Sequence, residues 1–294
     1  MNGEKVYILI TPAKNEQESL PLVADSVLKQ SILPKLWVIV DDGSSDETPG
    51  IIGKLTAEFE WIQSIRLPPR PRDITFHYSY VCKQGFDYAL NYCNDNQIPF
   101  DYIGLLDADT CLTEGYFEHL ISAFVHDPEL GIASGGIYWD INGMLQWSQD
   151  YEKNPAGTGR LWRKACFFET GGYMIEPSPD SISNIKAGLY GWKTQNFKEI
   201  IAIQTRPTSS AEGEWKGYTI NGKNAHYLNK HPMLVLLNFI NFSRQKPHYT
   251  GIAYAFGYLG GIIRRDKKID DEQIKDYYWK NRIREYLPHF FHFK

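Results

Sequence analysis

Four carboxylates in two short stretches are the residues best suited to chemistry. In "WVIVDDGSSDET" an apolar run from Trp37 to Val40 ends in Asp41 and Asp42, and in "YIGLLDADT" a similar run ends in Asp107 and Asp109. The Asp-Ala-Asp spacing puts two carboxylates on one side of an extended segment. Hard oxygen ligands of this kind suit Mg²⁺ or Mn²⁺, which proteins hold through one or two carboxylates while substrate phosphates complete the shell. A metal held so openly calls for a polyphosphate. The expected ligand is a nucleotide diphosphate, with Asp41 or Asp42 left to accept hydrogen bonds from a base or ribose. Asp46 has a blander reading, because its place ahead of "ETPGII" suits a helix N-cap.

The elements that must position these acids alternate. "KVYILIT", "KLWVIVD" and "WIQSIRL" read as strands, the first a continuous β-branched and aromatic run of the sort buried on both faces. "PLVADSVLKQS" and "SDETPGIIGKLTAEF" read as helices between them, which predicts βαβ units and a mainly parallel sheet. After a proline loop, "PPRPRD", come a helix "YSYVCKQGFDYALNYCN", a strand "DYIGLLDAD", a helix "EGYFEHLISAFVHD" and a strand "LGIASGGIYWD". Parallel sheets bind ligands outside the carboxyl ends of their strands. Both acidic clusters fall at such ends, and their mutual repulsion must be offset by a cation or by donor groups.

The 294 residues allow one large α/β domain with an appendage, or two modest domains. A net charge of −4 argues against general affinity for nucleic acid. Cys82, Cys93, Cys111 and Cys166 lack CxxC spacing, so the expectation is a reducing compartment and no zinc or disulfide framework. The first apolar stretch is too short for a signal peptide, and no segment reaches the ~18 apolar residues of a spanning helix. The default is a cytoplasmic protein.

"VYILITPAKNEQESLP", "WVIVDDGSSDET" and "YIGLLDADT", in this order, resemble the inverting GT-A glycosyltransferases of family 2. The resemblance implies a nucleotide-sugar donor. Pro12, Ala13 and Glu16 would line the nucleotide pocket, Asp42 would reach the base, Asp107 the ribose and Asp109 the metal. Lys83, in "VCKQGFDYALN", matches the basic position at the family's helix start; its plain alternative is a solvated lysine. An inverting transfer needs a general base, in this family an Asp at a helix start followed by a Gly-aromatic pair. In "ETGGYMIEPSPDSISNIKAGLYGWKT", Gly171-Gly172-Tyr173 matches the family's turn and Gly191-Trp192 lies eleven residues after Asp180. Asp180 is therefore the expected base, a role compatible with capping the helix that follows. Arg160 and Arg163, in "GTGRLWRKACFF", are candidate phosphate or acceptor contacts, with surface arginines flanking a strand as the alternative. Trp139 and Trp162 are candidates for stacking on sugars, or core residues. Specificity is expected in the loops 67–80 and 140–160.

Composition shifts near His226, so the expected organisation is a GT-A domain over 1–225 and a helical extension over 226–294. "HPMLVLLNFINFSRQK" and "YTGIAYAFGYLGGIIRRDKK" are apolar stretches ending in basic clusters. They suit helices lying in a membrane interface through 231–268, or packed on the core or at a dimer seam. The tail also resembles a subgroup of family 2 enzymes of surface polysaccharide assembly, which implies a saccharide or lipid-linked saccharide acceptor and a peripheral place on the inner membrane face. "DDEQIKDYYWKNRIREYL" reads as an amphipathic charged helix. No QxxRW motif follows Asp180, which favours single addition over processive synthesis. Two other functions share part of this pattern. A nucleotidylyltransferase would carry a glycine-rich basic loop where "TPAKNEQE" stands, and a nucleotide-sugar-binding scaffold would bind donor without turnover.

Overall fold

Period-two alternation in the first strands decides how the layers form. β1 (Tyr7–Ala13) and β2 (Leu36–Asp41) are buried along almost their whole length. Tyr7, Leu9, Trp37 and Ile39 enter one apolar cluster, while Ile8, Ile10, Val38 and Val40 enter another on the opposite face. Each face therefore needs its own cover of helices. α1 (Leu20–Leu28), α2 (Thr48–Glu58) and α4 (Tyr116–His126) bury Val23, Ile52 and Phe117 on the first face. α3 (His77–Asp95), α5 (Lys164–Glu169) and α6 (Pro179–Leu189) bury Phe86, Phe167 and Ala187 on the second. At Gly85 the backbone of α3 presses onto the sheet: an added Cβ would lie 2.6 Å from Ile10 and 2.7 Å from Val40.

This computed structural model describes residues 5–70, 76–141, 144–148, 154–205, 213–244 and 246–283. Its sheet has nine strands, in the order β3-β2-β1-β4-β8-β6-β9-β5 with β7 paired to β6. β3 (Ile62–Arg66), β2, β1 and β4 (Tyr102–Leu105) run parallel. β8 (Arg160–Arg163) runs antiparallel to both β4 and β6 (Leu130–Ile141), and β9 (Lys193–Gln204) returns parallel to β6. The short β5 (Thr110–Leu112) and β7 (Met144–Trp147) pair antiparallel with β9 and β6. The parallel arrangement expected from the sequence holds for β3, β2, β1 and β4; with β5, β7 and β8 pairing antiparallel, the sheet as a whole is mixed. The strands β5, β7, β8 and β9 carry little local signal; β7 is mostly exposed and β9 mixes exposed, half-buried and buried residues, so neither shows a buried apolar run.

The chain forms two compact units that divide at Arg206/Pro207. The expected boundary at 225/226 falls inside α7 (Glu214–Tyr227), because the compositional shift begins only at that helix's end. The second unit holds α7, α8 (Pro232–Arg244), α9 (Thr250–Arg264), α10 (Glu272–Asp276) and a π-helical turn (Tyr277–Asn281). The long terminal helix expected over 270–287 is thus two short pieces, and residues beyond 283 lie outside the described ones. α7 and α9 pack backbone to backbone at Gly222 and Gly257, where an added Cβ would run into carbonyl oxygens of Tyr254 and Thr219. No helix among the described residues is long and apolar enough to cross a membrane.

Candidate active site

The parallel strands deliver the acids to one edge. Asp42 N–H donates to the carbonyl of Ala13 (2.9 Å) and Leu106 N–H to that of Ile10 (2.9 Å), so both acidic stretches leave the sheet beside β1. Beyond β4 the chain turns, with Thr110 N–H donating to the Asp107 carbonyl at 3.1 Å; Ala108 is buried in the core while Asp107 and Asp109 are both partly exposed. The Asp107 N–H donates to Thr158 Oγ1 at 2.8 Å, and the Asp109 carbonyl accepts from Thr205 N–H at 2.9 Å. Both backbones are therefore pinned on either side of Ala108.

Much of "DDGSSDE" is structural. Asp41 accepts from Ser44 N–H (2.8 Å) through Oδ1 and faces Arg66 Nε at 3.1 Å through Oδ2. Gly43, at φ 63°, makes the turn out of β2 where any Cβ would collide with Pro69. The serines clasp the loop after β1: Ser44 Oγ accepts from Asn15 N–H at 3.0 Å, and Ser45 N–H donates to Asn15 Oδ1 at 2.9 Å. Asp46 spans both loops, accepting from Gln17 N–H (3.1 Å) and Thr48 N–H (3.0 Å), and these bonds lower its carboxyl from the usual range although burial acts the other way. It sits one position ahead of the helix N-cap, which is Glu47. Asp41 is thus engaged by the turn and by Arg66.

Asp42 is held from two sides. His77 Nε2 lies 2.8 and 2.9 Å from its two carboxylate oxygens, and Lys14 Nζ donates to Oδ2 at 2.9 Å. Lys14 also donates to the carbonyls of Asp42 and Arg70, tying the three segments together. A carboxylate has about four acceptor sites, so Asp42 keeps capacity for a ligand. Pro12 and Ala13 close β1, with Ala13 facing the core, and Glu16 is nearly buried and accepts from Ser19 Oγ at 2.8 Å.

Asp107, Asp109, Glu16 and Asp180 form one electrostatic cluster. Burial first, then the charge of Asp109, then Glu16 and Asp180, push the Asp107 carboxyl up to about 7. A 2.6 Å hydrogen bond from the Tyr78 hydroxyl works against that rise, and the Tyr78 phenol is itself held well above its ordinary range by burial and by Asp107. Asp180 stands in the first turn of α6, entered through Ser178 in a left-handed conformation. Behind it Arg160 is fully buried, donating to Asn184 Oδ1 (2.5 Å) and to the carbonyls of Pro155 (3.3 Å) and Asp180 (3.4 Å). Its guanidinium also lies over the Trp162 ring, and burial lowers its pKa while the Asp180 charge opposes that.

Three of the expected contacts are corrected by this geometry. Arg160 is fully buried and supports the α6 turn from within the core. Arg163 lies at the other end of the antiparallel β8, opposite Tyr102, where it donates to the carbonyls of Phe124, Asp127 and Leu130 behind α4. Lys83 pairs with Asp87 one turn along α3, as a solvated helix lysine would. Trp162 is a core residue, and Trp139 donates to Gln204 Oε1 at 3.3 Å. Nothing in the local spacing points to Lys14, His77, Tyr78 or Thr158, whose partners lie 28 to 51 residues away. Residues 71–75, 142–143 and 149–153 of the expected specificity loops fall outside the described residues.

The sequence model described as "Glycosyl transferase family 2" matches residues 8–177, more than half of the chain. The chain belongs to glycosyl transferase family 2. The match spans all strands that carry Asp42, Asp107 and Asp109 and stops at Pro177, ahead of Asp180. Among curated proteins, a poly-beta-1,6-N-acetyl-D-glucosamine synthase of Staphylococcus aureus is 30% identical over 123 residues, 41% of this chain and 26% of that protein. The chain thus spans about a quarter of the length of the curated relatives it matches. Among solved structures, S. aureus TarS 1-349 in complex with UDP-GlcNAc superposes with a TM-score of 0.57 at 16% identity, covering 97% of this chain and 86% of that one. The mannosyltransferase PcManGT from Pyrobaculum calidifontis, in complex with GDP-Man and Mn2+, gives a TM-score of 0.55 at 14% identity, covering 88% and 70%. The fold is GT-A.

Proposed function

We propose that this chain transfers one sugar from a nucleotide-diphosphate sugar to a saccharide or lipid-linked saccharide acceptor, with inversion at the anomeric carbon. The observation that supports the reading is that the stretches bearing Asp42 and Asp107-Asp109 leave the sheet side by side next to β1, where burial first and then Asp109, Glu16 and Asp180 push the Asp107 carboxyl up. Such a cluster is costly without a cation. Among the described residues no three His, Cys, Asp or Glu side chains close a metal cage. An open carboxylate site of this kind fits Mg²⁺ or Mn²⁺ shared with a diphosphate. Asp109, with Asp107 beside it, would hold the ion, and the ion would neutralise charge on the departing diphosphate.

The chain's own groups supply the rest. Asp42, steadied by His77 and Lys14, offers acceptor capacity to the nucleoside. Asp180 projects from the first turn of a helix whose start is fixed by Arg160 and Asn184. From there its carboxylate takes the proton of the acceptor hydroxyl as that oxygen attacks the anomeric carbon. Family membership sets aside the nucleotidylyltransferase alternative. A binding scaffold is the remaining contrast.

The test is a panel of UDP- and GDP-sugars scored for divalent-dependent hydrolysis and transfer, with product anomer read by NMR. TarS with UDP-GlcNAc, PcManGT with GDP-Man and the glucosamine-polymer synthase make UDP-GlcNAc and GDP-mannose the first arms. Asp109→Ala should abolish ion-dependent donor binding. Asp180→Asn should keep donor binding and lose turnover by roughly 10²–10⁴-fold. Full turnover by Asp180→Asn removes it as the base, and donor binding without turnover in the wild type assigns a scaffold.

A further inference from the structure

Helix α9 is built inside out for a helix in water. Its small residues Gly251, Ala253, Gly257 and Gly261 are buried with Tyr254 against α7 and α8. Its large apolar residues point the other way. Ile252, Phe256, Leu259 and Ile263, preceded by Tyr249, recur at spacings of three and four along the opposite face. Phe256 is 63% exposed and Ile263 81%. Trp215 of α7 lies against both Tyr249 and Phe256, with ring centroids 6.0 and 6.4 Å away, and widens the face with a ring that is itself half-exposed.

Charge on the same unit is segregated to match. Between Glu214 and Asp266 the chain carries no acidic residue and seven Lys or Arg. That stretch is +7 in a chain of −4, so the remainder carries −11. Arg244 and Lys246 precede α9, and Arg264 and Arg265 close it, bracketing the apolar face with cations. Arg264 pairs with Asp266 at 2.8 Å and Lys267 with Asp270 at 2.8 Å, both exposed pairs that cost little to exchange for other anions. A second copy of this unit would bring the same positive charge to the seam, and repulsion would oppose a dimer there. An anionic lipid surface satisfies both halves of the pattern.

We propose that the outward face of α9, with Trp215, lies in the interface of an anionic membrane. The apolar residues enter the boundary between headgroups and acyl chains, the tyrosine and tryptophan rings sit at headgroup depth, and the bracketing cations meet lipid phosphates. The contact is independent of the donor chemistry proposed above.

The test is flotation of the full chain with phosphatidylcholine vesicles, with or without roughly a quarter phosphatidylglycerol, followed through tryptophan emission. The wild type should float with the anionic vesicles, shift its emission to the blue, and be released by high salt. Phe256→Ser with Ile263→Ser touches no buried contact and should weaken vesicle binding by at least about tenfold, while the soluble protein keeps its melting temperature. Arg264→Gln with Arg265→Gln should weaken it for anionic vesicles only. Wild type that never floats overturns the proposal. Binding that salt abolishes but Phe256→Ser with Ile263→Ser leaves intact would assign it to charge alone and overturn the role of the face. A concentration-dependent dimer lost in that apolar variant, without vesicle binding, would give the face to a second copy.

Discussion

Replacing Asp107 by Asn should change how stability depends on pH, and the direction follows from the acid cluster. In the folded chain the Asp107 carboxyl is held up to about 7, against an ordinary 3.8, by burial and by Asp109, Glu16 and Asp180. Between those values the folded protein keeps a proton that the unfolded chain has released, so stability falls as pH rises. The penalty is absent below about pH 4, grows through the interval and is complete above about pH 7. The full shift corresponds to about 4 kcal/mol at most. Asp107 keeps part of its surface in water, which screens the repulsion and leaves roughly 1–2 kcal/mol. In a chain of this size that is roughly 2–8 °C of melting temperature. Asp107→Asn keeps an acceptor for the Tyr78 hydroxyl and removes the titrating group. With a chelator present, its melting temperature should gain on the wild type steadily from pH 4 to pH 8. Mn²⁺ added at pH 8 should stabilise the wild type more than the variant, and at pH 5 should separate them little. If the two melting curves keep a constant separation across that range, the carboxylates do not repel one another and the cluster is not a cation site.

The remaining expectations concern the frame around it. Arg160→Met removes the donor from Asn184 Oδ1 and leaves the Pro155 carbonyl to Asn184 Nδ2 alone, and should cost about 1–3 kcal/mol by urea denaturation. Arg163→Ala strips three carbonyls at the opposite end of the sheet, costing about 1–3 kcal/mol while turnover per folded molecule stays unchanged. Gly85→Val would force α3 off Ile10 and Val40, at a cost of about 1–3 kcal/mol or more in the same denaturation assay.

The nucleotide-binding half of the sheet is written locally. Each of β1, β2 and β4 is a buried and largely apolar run, and β2 and β4 lead straight into the acids, so strand and acids are read together. The second half is not. β8 is four residues long, and β9 mixes exposed, half-buried and buried residues without regular alternation, so neither shows a period. Their places are fixed by pairing with β4 and β6, which are distant in sequence. The boundary between the units is hidden in the sequence for a related reason. α7 is polar in composition, and it joins its unit through Gly222 and a few scattered apolar residues, Tyr218 and Ala225 among them, which set up no clear period.

The site divides along the same line. Asp42, Asp107 and Asp109 are legible because a strand end and an Asp-Ala-Asp spacing are properties of neighbouring residues. The groups that hold them are not: His77 reaches Asp42 across 35 residues and Tyr78 reaches Asp107 across 29. Arg160 and Arg163 show what the missing information is. In sequence they are two cations three residues apart beside a conspicuous segment, and both suit an anionic donor. Once β8 is known to run antiparallel to β4, the pairs Arg160 with Leu105 and Arg163 with Tyr102 put them at opposite ends of the strand. One then stands behind the helix that carries Asp180, and the other behind α4 at the edge away from the acids. Strand direction, which no local pattern encodes, is what separates a residue that positions the chemistry from one that only holds the fold.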